Sequence, residues 1–243
     1  MIGKGKSISH GVAALEYDLA KEIDGQAAAT EIARHELYGC TGAEMVQEMK
    51  PYFTDFPNVK NNCLRFEVSP SIEESSSFTD ADWAELGNDF MQRMGLMNHQ
   101  YIIIKHSGTE SKKEQAHLHI LANRISLSGE LYRDNWIGKR ATEAANAIAK
   151  ERNFVQSQDI GKANKEEIKE VMNSVLKKMQ GFDLTKFQEE LGKLGFKVRE
   201  ARASTGKLNG YYVTARSGTE YKASEIGKGY TFAHIERTQS KLK

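Results

Sequence analysis

His117 and His119 stand one residue apart in the run Ala116-His117-Leu118-His119-Ile120-Leu121-Ala122-Asn123-Arg124. The run reads as a strand, and side chains alternate across a strand, so both imidazoles leave from one face. A third histidine, His106, ends the apolar run 101–105 just upstream. Imidazole is a common ligand for zinc, manganese and related ions. Three protein ligands that leave positions open mark a catalytic metal site, because substrate or water completes the shell. His106, His117 and His119 are therefore the candidate metal ligands. His99 and His10 are the other candidates for the third, although His99 precedes its strand and would lie at the opposite end. Asn123 shares the face of the pair and is placed to hydrogen-bond a ligand or a phosphate. No acid lies two or four residues along the histidine strand, which argues against a zinc hydrolase of the H-E-x-x-H kind. Leu121 occupies the third position of an H-x-H-x-H pattern, which argues against nucleotide-hydrolysing histidine-triad chemistry.

The elements that must hold these residues can be read along the 243-residue chain. Residues 101–105 form a buried strand, 107–115 a polar loop and 116–125 a second strand. Antiparallel pairing across the loop brings His106 level with His117. Leu64, Phe66 and Val68 alternate with Arg65, Glu67 and Ser69, giving a strand with one apolar and one polar face. Thr79 precedes an acid-rich helix start, Trp83, Leu86, Phe90 and Met94 recur at helical spacing, and Gly95 ends that helix. Ser9 is placed to cap a helix over 11–22 with Val12, Leu15 and Leu19 on one face. Residues 27–37, 43–52, 139–153 and 165–179 also read as helices, and Asp183 starts another that ends at Gly195. Short strands follow at 196–201 and 211–215. The expectation is an α/β (α+β) fold. Its central antiparallel sheet contains 64–69, 101–106 and 116–125, with helices on one face and the site on the other. Helices and a small β-rich C-terminal piece follow, and the division falls into 1–155 and 156–243.

Composition narrows the setting. Hydrophobic residues make up 39% and charged residues 28%, enough for a packed core. No apolar run reaches the roughly 18 residues that cross a bilayer, and no apolar core follows the basic N-terminus, so the chain reads as cytoplasmic. Cys40 and Cys63 lack redox or zinc spacing and read as unpaired thiols. From Lys193 to Lys243 there are 11 Lys and Arg against 4 Asp and Glu, a balance of +7, which leaves −6 for the rest of a chain of net charge +1. A basic tail beside a mildly acidic body suits an anionic partner.

The H-hydrophobic-H pair followed by Asn123-Arg124 resembles the signature of HUH endonucleases, and more closely that of the plasmid mobilisation relaxases (the MobA/relaxase family). Gly3-Lys4-Gly5-Lys6-Ser7 with the Tyr17 helix resembles the family's nucleophile segment. Leu64-Arg65-Phe66-Glu67-Val68-Ser69-Pro70 resembles its next strand, and stretches 182–198 and 221–229 resemble a tail common among these proteins. The resemblance implies a relaxase-like palm over 1–155 and a DNA-binding extension over 156–243. It implies a DNA nickase and strand transferase acting at a transfer origin. Tyr17 would attack a phosphodiester to give a 5′-phosphotyrosyl link and a free 3′-hydroxyl, with Tyr38 and Tyr52 as alternatives. His106, His117 and His119 would hold Mg2+ or Mn2+, with Zn2+ or Ni2+ as substitutes in a crystal. Glu67 would be the base, a support for the site, or a solvent-facing strand residue.

The DNA contacts implied are Lys4, Lys6, Asn123, Arg124, Lys139 and Arg140 in the body and Lys207, Arg216, Lys222 and Lys228 in the tail. Tyr211, Tyr212 and Tyr230 are placed to stack on unpaired bases. The partners implied are single-stranded or supercoiled origin DNA, accessory mobilisation proteins and a coupling protein. Rival readings are a rolling-circle replication-initiator nickase and a non-catalytic DNA-binding accessory protein with a structural metal. The chain departs from the family pattern in the long step from His106 to His117, where either Glu110 takes the role of an acid close behind the first histidine or the loop is only longer.

Overall fold

The computed structural model describes residues 1–108 and 115–240, so Glu110 lies outside the described residues. The chain divides into two compact units, Met1–Ser157 and Gln158–Lys243.

The first unit is built on five strands, β1 (Ile2–Ile8), β4 (Ala29–His35), β5 (Cys63–Ser69), β6 (His99–His106) and β7 (His117–Ser126), with a small hairpin of β2 (Glu22–Ile23) and β3 (Gln26–Ala27) before β4. The sheet order is β1-β5-β7-β6-β4, antiparallel throughout. The expected central strands are present, and β6 and β7 pair with His106 opposite His117.

Two strands of the five-stranded sheet, β1 and β4, depart from the expectation. Residues 27–37, rich in helix-forming Ala, Glu and Arg, contain β4, because β6 offers a long unpaired edge and pairing with it overrides local propensity. β1 carries Gly-Lys-Gly-Lys where a half-buried strand would show apolar residues. Gly3 and Gly5 sit there because the helix α5 (Ile137–Glu151) packs so closely that a Cβ on Gly3 would strike the Ala141 carbonyl oxygen, and one on Gly5 would come within 2.8 Å of the Phe66 ring. The glycines face α5, so the alternate lysines face the other way.

Helices cover both sheet faces rather than one. Leu64, Phe66, Val68, Tyr101, Ile103, Leu118 and Ile120 pack under α5 and α4 (Asp80–Met94). Ile8, Cys63, Ile102, Ile104 and Leu121 pack under α1 (Gly11–Leu19) and α2 (Gly42–Phe53). The reason lies in β6, whose run 101–104 is apolar at consecutive positions and so needs cover on both sides. A short α3 (Ile72–Ser75) follows β5. Helix α4 has the expected ends, a Thr79 capping box and a left-handed Gly95. Helix α1 differs from expectation: its N-cap is His10 without a side-chain cap, and Val12 is 38% exposed.

In the second unit α6 (Ser157–Lys178) and α7 (Leu184–Lys193) accompany a three-stranded sheet of β8 (Lys197–Arg202), β9 (Leu208–Thr214) and β10 (Glu220–Lys222), ordered β10-β9-β8. Asp183 caps α7 through Lys186 N–H at 3.1 Å. Phe187, Leu191, Phe196, Tyr211 and Val213 form the core with Ile168 and Met172 of α6. Helices α8 (Ala223–Ile226) and α9 (Phe232–Ser240) complete the unit. Among the described residues no helix is long and apolar enough to cross a membrane. Both cysteines are free, and burial pushes the Cys63 thiol up to about 12.

Candidate metal centre

The pairing of β5, β6 and β7 sets out a grid of side chains on the face under α1 and α2. His106 lies opposite His117, and Ala29 lies opposite His106. In the next row Lys4, Glu67, His119 and Ile104 lie side by side, and beyond it Lys6, Arg65, Leu121 and Ile102. One available nitrogen from each of His106, His117 and His119 falls within 4.8 Å of the others. The Nε2 atoms of His117 and His119 are 3.1 Å apart.

The neighbours of the rings determine which nitrogens are open. A carbonyl can only accept, so His106 Nε2–H donates to Asp18 O at 2.8 Å and His117 Nδ1–H donates to Gln115 O at 3.1 Å. His106 Nδ1 and His117 Nε2 keep their lone pairs. His119 Nδ1 lies 3.8 Å from the Asp18 carboxylate. His106 and His117 show the pattern of metal-binding histidines, each anchored through its other nitrogen to a carbonyl, while the Asp18 carboxylate places negative charge beside His119. Burial depresses the His106 pKa to about 4; it lowers His119 further, assisted by the neighbouring imidazoles. Both rings are thus neutral near pH 7, as a ligand must be. The donor set fits a divalent cation.

Two residues that sequence reasoning passed over complete the site. Asp18, 1% exposed, reaches under the rings from α1 and forms an ion pair with Arg65. Burial raises its pKa, with Arg65 opposing the rise. The signal was present: Gly11, Ala14, Leu15 and Asp18 make the buried stripe of α1, and an acid at a stripe position calls for a partner. Arg65 also approaches His119 Nδ1 at 3.4 Å, and its Nε is buried without a partner among the described residues.

Beside His119 a cleft of about 210 Å³ is lined by Lys4, Lys6, Arg65 and Glu67. Lys4 Nζ donates to Glu67 Oε1 at 2.8 Å. Three cations and an orphaned guanidinium N–H next to three imidazoles make a receptor for an oxyanion. Tyr17 adjoins Asp18 in sequence and is 59% exposed, with Lys21 Nζ 5.7 Å from its ring.

Other expected positions fall elsewhere. His99 is at the far end of β6, bonded to Asn123 O at 2.9 Å. His10 is at the far end of α1 from Asp18, about 12 Å along the axis. Tyr38 follows the His35 end of β4, away from His106, and bonds Glu36, and Tyr52 lies in α2. Asn123 is buried; it donates to Gln100 Oε1 at 3.0 Å and accepts from Ile125 N–H at 2.9 Å, so it is not open to DNA. Arg124 is spent on Tyr132 O, Asn61 O and Asp134. Arg140 covers the Tyr132 ring and bonds Arg133 O. Lys139 is exposed, 3.7 Å from Glu143. In the second unit Lys207, Lys222 and Lys228 are exposed, and Arg216 pairs with Glu167 at 3.1 Å. Tyr211 is core and donates to Tyr230 O rather than offering a face to bases. Tyr212 lies under Arg199 at 4.2 Å, and Tyr230 bonds Asn173.

No curated protein matches the chain. Among solved structures, the conjugative relaxase TrwC in complex with oriT DNA, in a metal-bound form, is similar at 11% identity and a TM-score of 0.36, over 85% of this chain and 74% of that one. The family model for the MobA/VirD2-like relaxase nuclease domain matches residues 17–154, a span that starts on Tyr17 and takes in Asp18, Arg65, Glu67 and the three histidines, and the chain belongs to this relaxase family.

Proposed function

We propose that the protein is a metal-dependent, site- and strand-specific DNA nickase and strand transferase that opens a transfer origin and so starts mobilisation of a plasmid or other mobile element. The observation that carries this reading is the histidine cluster opening beside a cationic cleft, with Tyr17 one residue from the acid beneath the rings. His106, His117 and His119 would hold the divalent cation, which when bound supplies positive charge to the scissile phosphate.

The chain's own groups do the rest. Tyr17 Oη forms a bond to phosphorus, the P–O3′ bond breaks, and the 3′ oxygen leaves with a proton, so one phosphodiester replaces another and nothing is hydrolysed. Lys4, Lys6 and Arg65 hold the phosphate and offset the charge that develops on it. Glu67, beside His119 and paired with Lys4, either takes the phenol proton or orients Lys4. Glu67→Gln separates the two, because loss of a base removes the acid limb of the pH–rate profile and loss of orientation does not. The single strand at the origin is the DNA partner, Lys139 adds a contact, and Lys207, Arg216, Lys222 and Lys228 make the second unit a DNA-binding extension. Accessory mobilisation proteins and a coupling protein are the macromolecular partners in this reading, and the cytoplasm its compartment.

The test is a supercoiled plasmid carrying the cognate origin, incubated with Mg2+ or Mn2+. The expected result is relaxation with protein linked to the 5′ end, and no adduct from Tyr17→Phe. An adduct from Tyr17→Phe places the nucleophile elsewhere. A His119→Ala protein that keeps metal and activity removes the ligand assignment, and wild-type protein that binds metal but never forms an adduct is an accessory DNA-binding protein.

A further inference from the structure

Trp136 is 80% exposed. It is the N-cap of α5 and holds φ 55° and ψ 27°, the left-handed region that a bulky side chain rarely adopts. Among the described residues its indole makes no hydrogen bond or ring contact. An exposed indole on an unfavourable backbone is retained against two penalties, and the fold holds it firmly. Asp134 accepts from Ser7 Oγ at 2.6 Å and from Arg124 at 2.7 Å, and Ile137 N–H closes the turn on Asp134 O at 3.1 Å. Arg140 clamps the same loop from the Tyr132 ring, 4.8 Å away.

The surroundings are polar and cationic. Arg133 and Lys139 are exposed on either side, the first turn of α5 carries no acid, and Asp134 is occupied by Arg124 and Ser7. The acid facing Lys139 is Glu143, 3.7 Å away. A protein partner would need further apolar surface here, and the neighbours Arg133, Asn135 and Lys139 offer none. A flat ring flanked by cations instead matches a base flanked by phosphates. In a duplex both faces of a base are already covered, so the ring is available only to an unpaired one. Ser7, which anchors the loop, leaves β1 on the α5 side, three residues (about 10 Å) along the strand from Lys4 of the cleft on the other face; β1 is the edge of the sheet, so a DNA strand that rounds this edge meets both the cleft and Trp136.

We propose that Trp136 is a rigid stacking platform for an unpaired base of the DNA strand that passes the histidine cluster. The inference rests on the nicking function proposed above and adds a contact to it.

Trp136 shares the chain with only Trp83, which is buried and packed on Phe78. Emission quenched by a short single-stranded oligothymidylate therefore reports Trp136. Quenching is expected on wild-type protein, with binding about tenfold weaker in Trp136→Ala and largely restored in Trp136→Phe, which keeps a stacking face. A duplex of the same length should bind wild-type and Trp136→Ala protein alike. Bound oligonucleotide without quenching, or unchanged affinity in Trp136→Ala, overturns the platform. Equal losses on single strand and duplex also overturn it, because they mark a residue that serves the fold. Nicking of the origin plasmid by wild-type protein decides the underlying function separately: if nicking occurs while Trp136→Ala binds normally, only the platform falls.

Discussion

On β7, Leu118, Ile120 and Ala122 turn toward α4 and α5, while His117, His119 and Leu121 turn toward α1 and α2. The first face is closed and apolar through its middle, with Lys105 paired to Asp80 and Arg124 paired to Asp134 toward its ends. The second is apolar at one end, under Ile102, Leu121 and Cys63, and gives way at the other to three imidazoles, an Asp18–Arg65 ion pair and the lysines of β1. The same strands make both, because alternation lets one backbone carry a packing role at every second position and a chemical role at those between. The rigid face holds the reactive one. What a substitution does should then depend on the parity of its position more than on its distance from the histidines.

The sharpest way to break this contrast is a neighbouring pair. Ile120 is fully buried between β6 and the helices of the closed face. Ile120→Ala is expected to lower unfolding free energy by about 2–5 kcal/mol in urea denaturation. Glu67→Gln, directly beside His119 but on the open face, should stay within about 0.5 kcal/mol. If the two variants lose comparable stability, the division between the faces is wrong.

A smaller effect probes how the open face holds its rings. Asp18→Asn keeps the shape of the side chain and removes the charge facing His119. Loss of a carboxylate from the shell behind ligating rings weakens metal binding by about 10–100-fold, so calorimetric titration with Mn2+ should show that drop. Unchanged affinity would reduce Asp18 to a counter-ion for Arg65.

The closed face and the open one were unequally legible in the sequence. The histidine pair, the capping of α4 and the register of His106 against His117 follow from local periodicity and capping, and the structure has them. Asp18 was hidden because it belongs to a helix far from the histidines in sequence, and only pairing across the sheet brings the two together. Arg65 was read as one polar residue of an alternating strand, which is correct for parity and silent about partners. β1 escaped because its closed-face positions are glycines, and β4 because helix-forming residues were enlisted to cover an edge. Asn123 and Arg124 failed in the opposite direction: they carry the family resemblance, yet their side chains are consumed in holding the end of the sheet.

The smallest effect concerns pH. The His106 pKa is depressed to about 4 by burial, with His119 shifted the same way, whereas an unfolded histidine titrates near 6.5. Between those values the unfolded chain binds a proton that the folded chain refuses, so stability must fall as pH is lowered through this window and be fully present above it. Asp18 works against this at the acid end, since its raised pKa lets the folded protein take up a proton before the unfolded chain does. In chelator, the loss from pH 7.5 to pH 6 is expected to be on the order of 1 kcal/mol, read as a Tm lower by several degrees. With Mn2+ present Tm should be higher throughout this window, because the imidazoles of the folded protein are already neutral and the cation stabilises only the folded state. His99, buried against Tyr132, is shifted down in the same way and adds to the descent; Ile120→Ala removes no titrating group, so it should lower the whole Tm curve without changing its slope. A slope that vanishes in Ile120→Ala, or a wild-type Tm that rises toward pH 5, would mean that the acid sensitivity does not arise at the histidines.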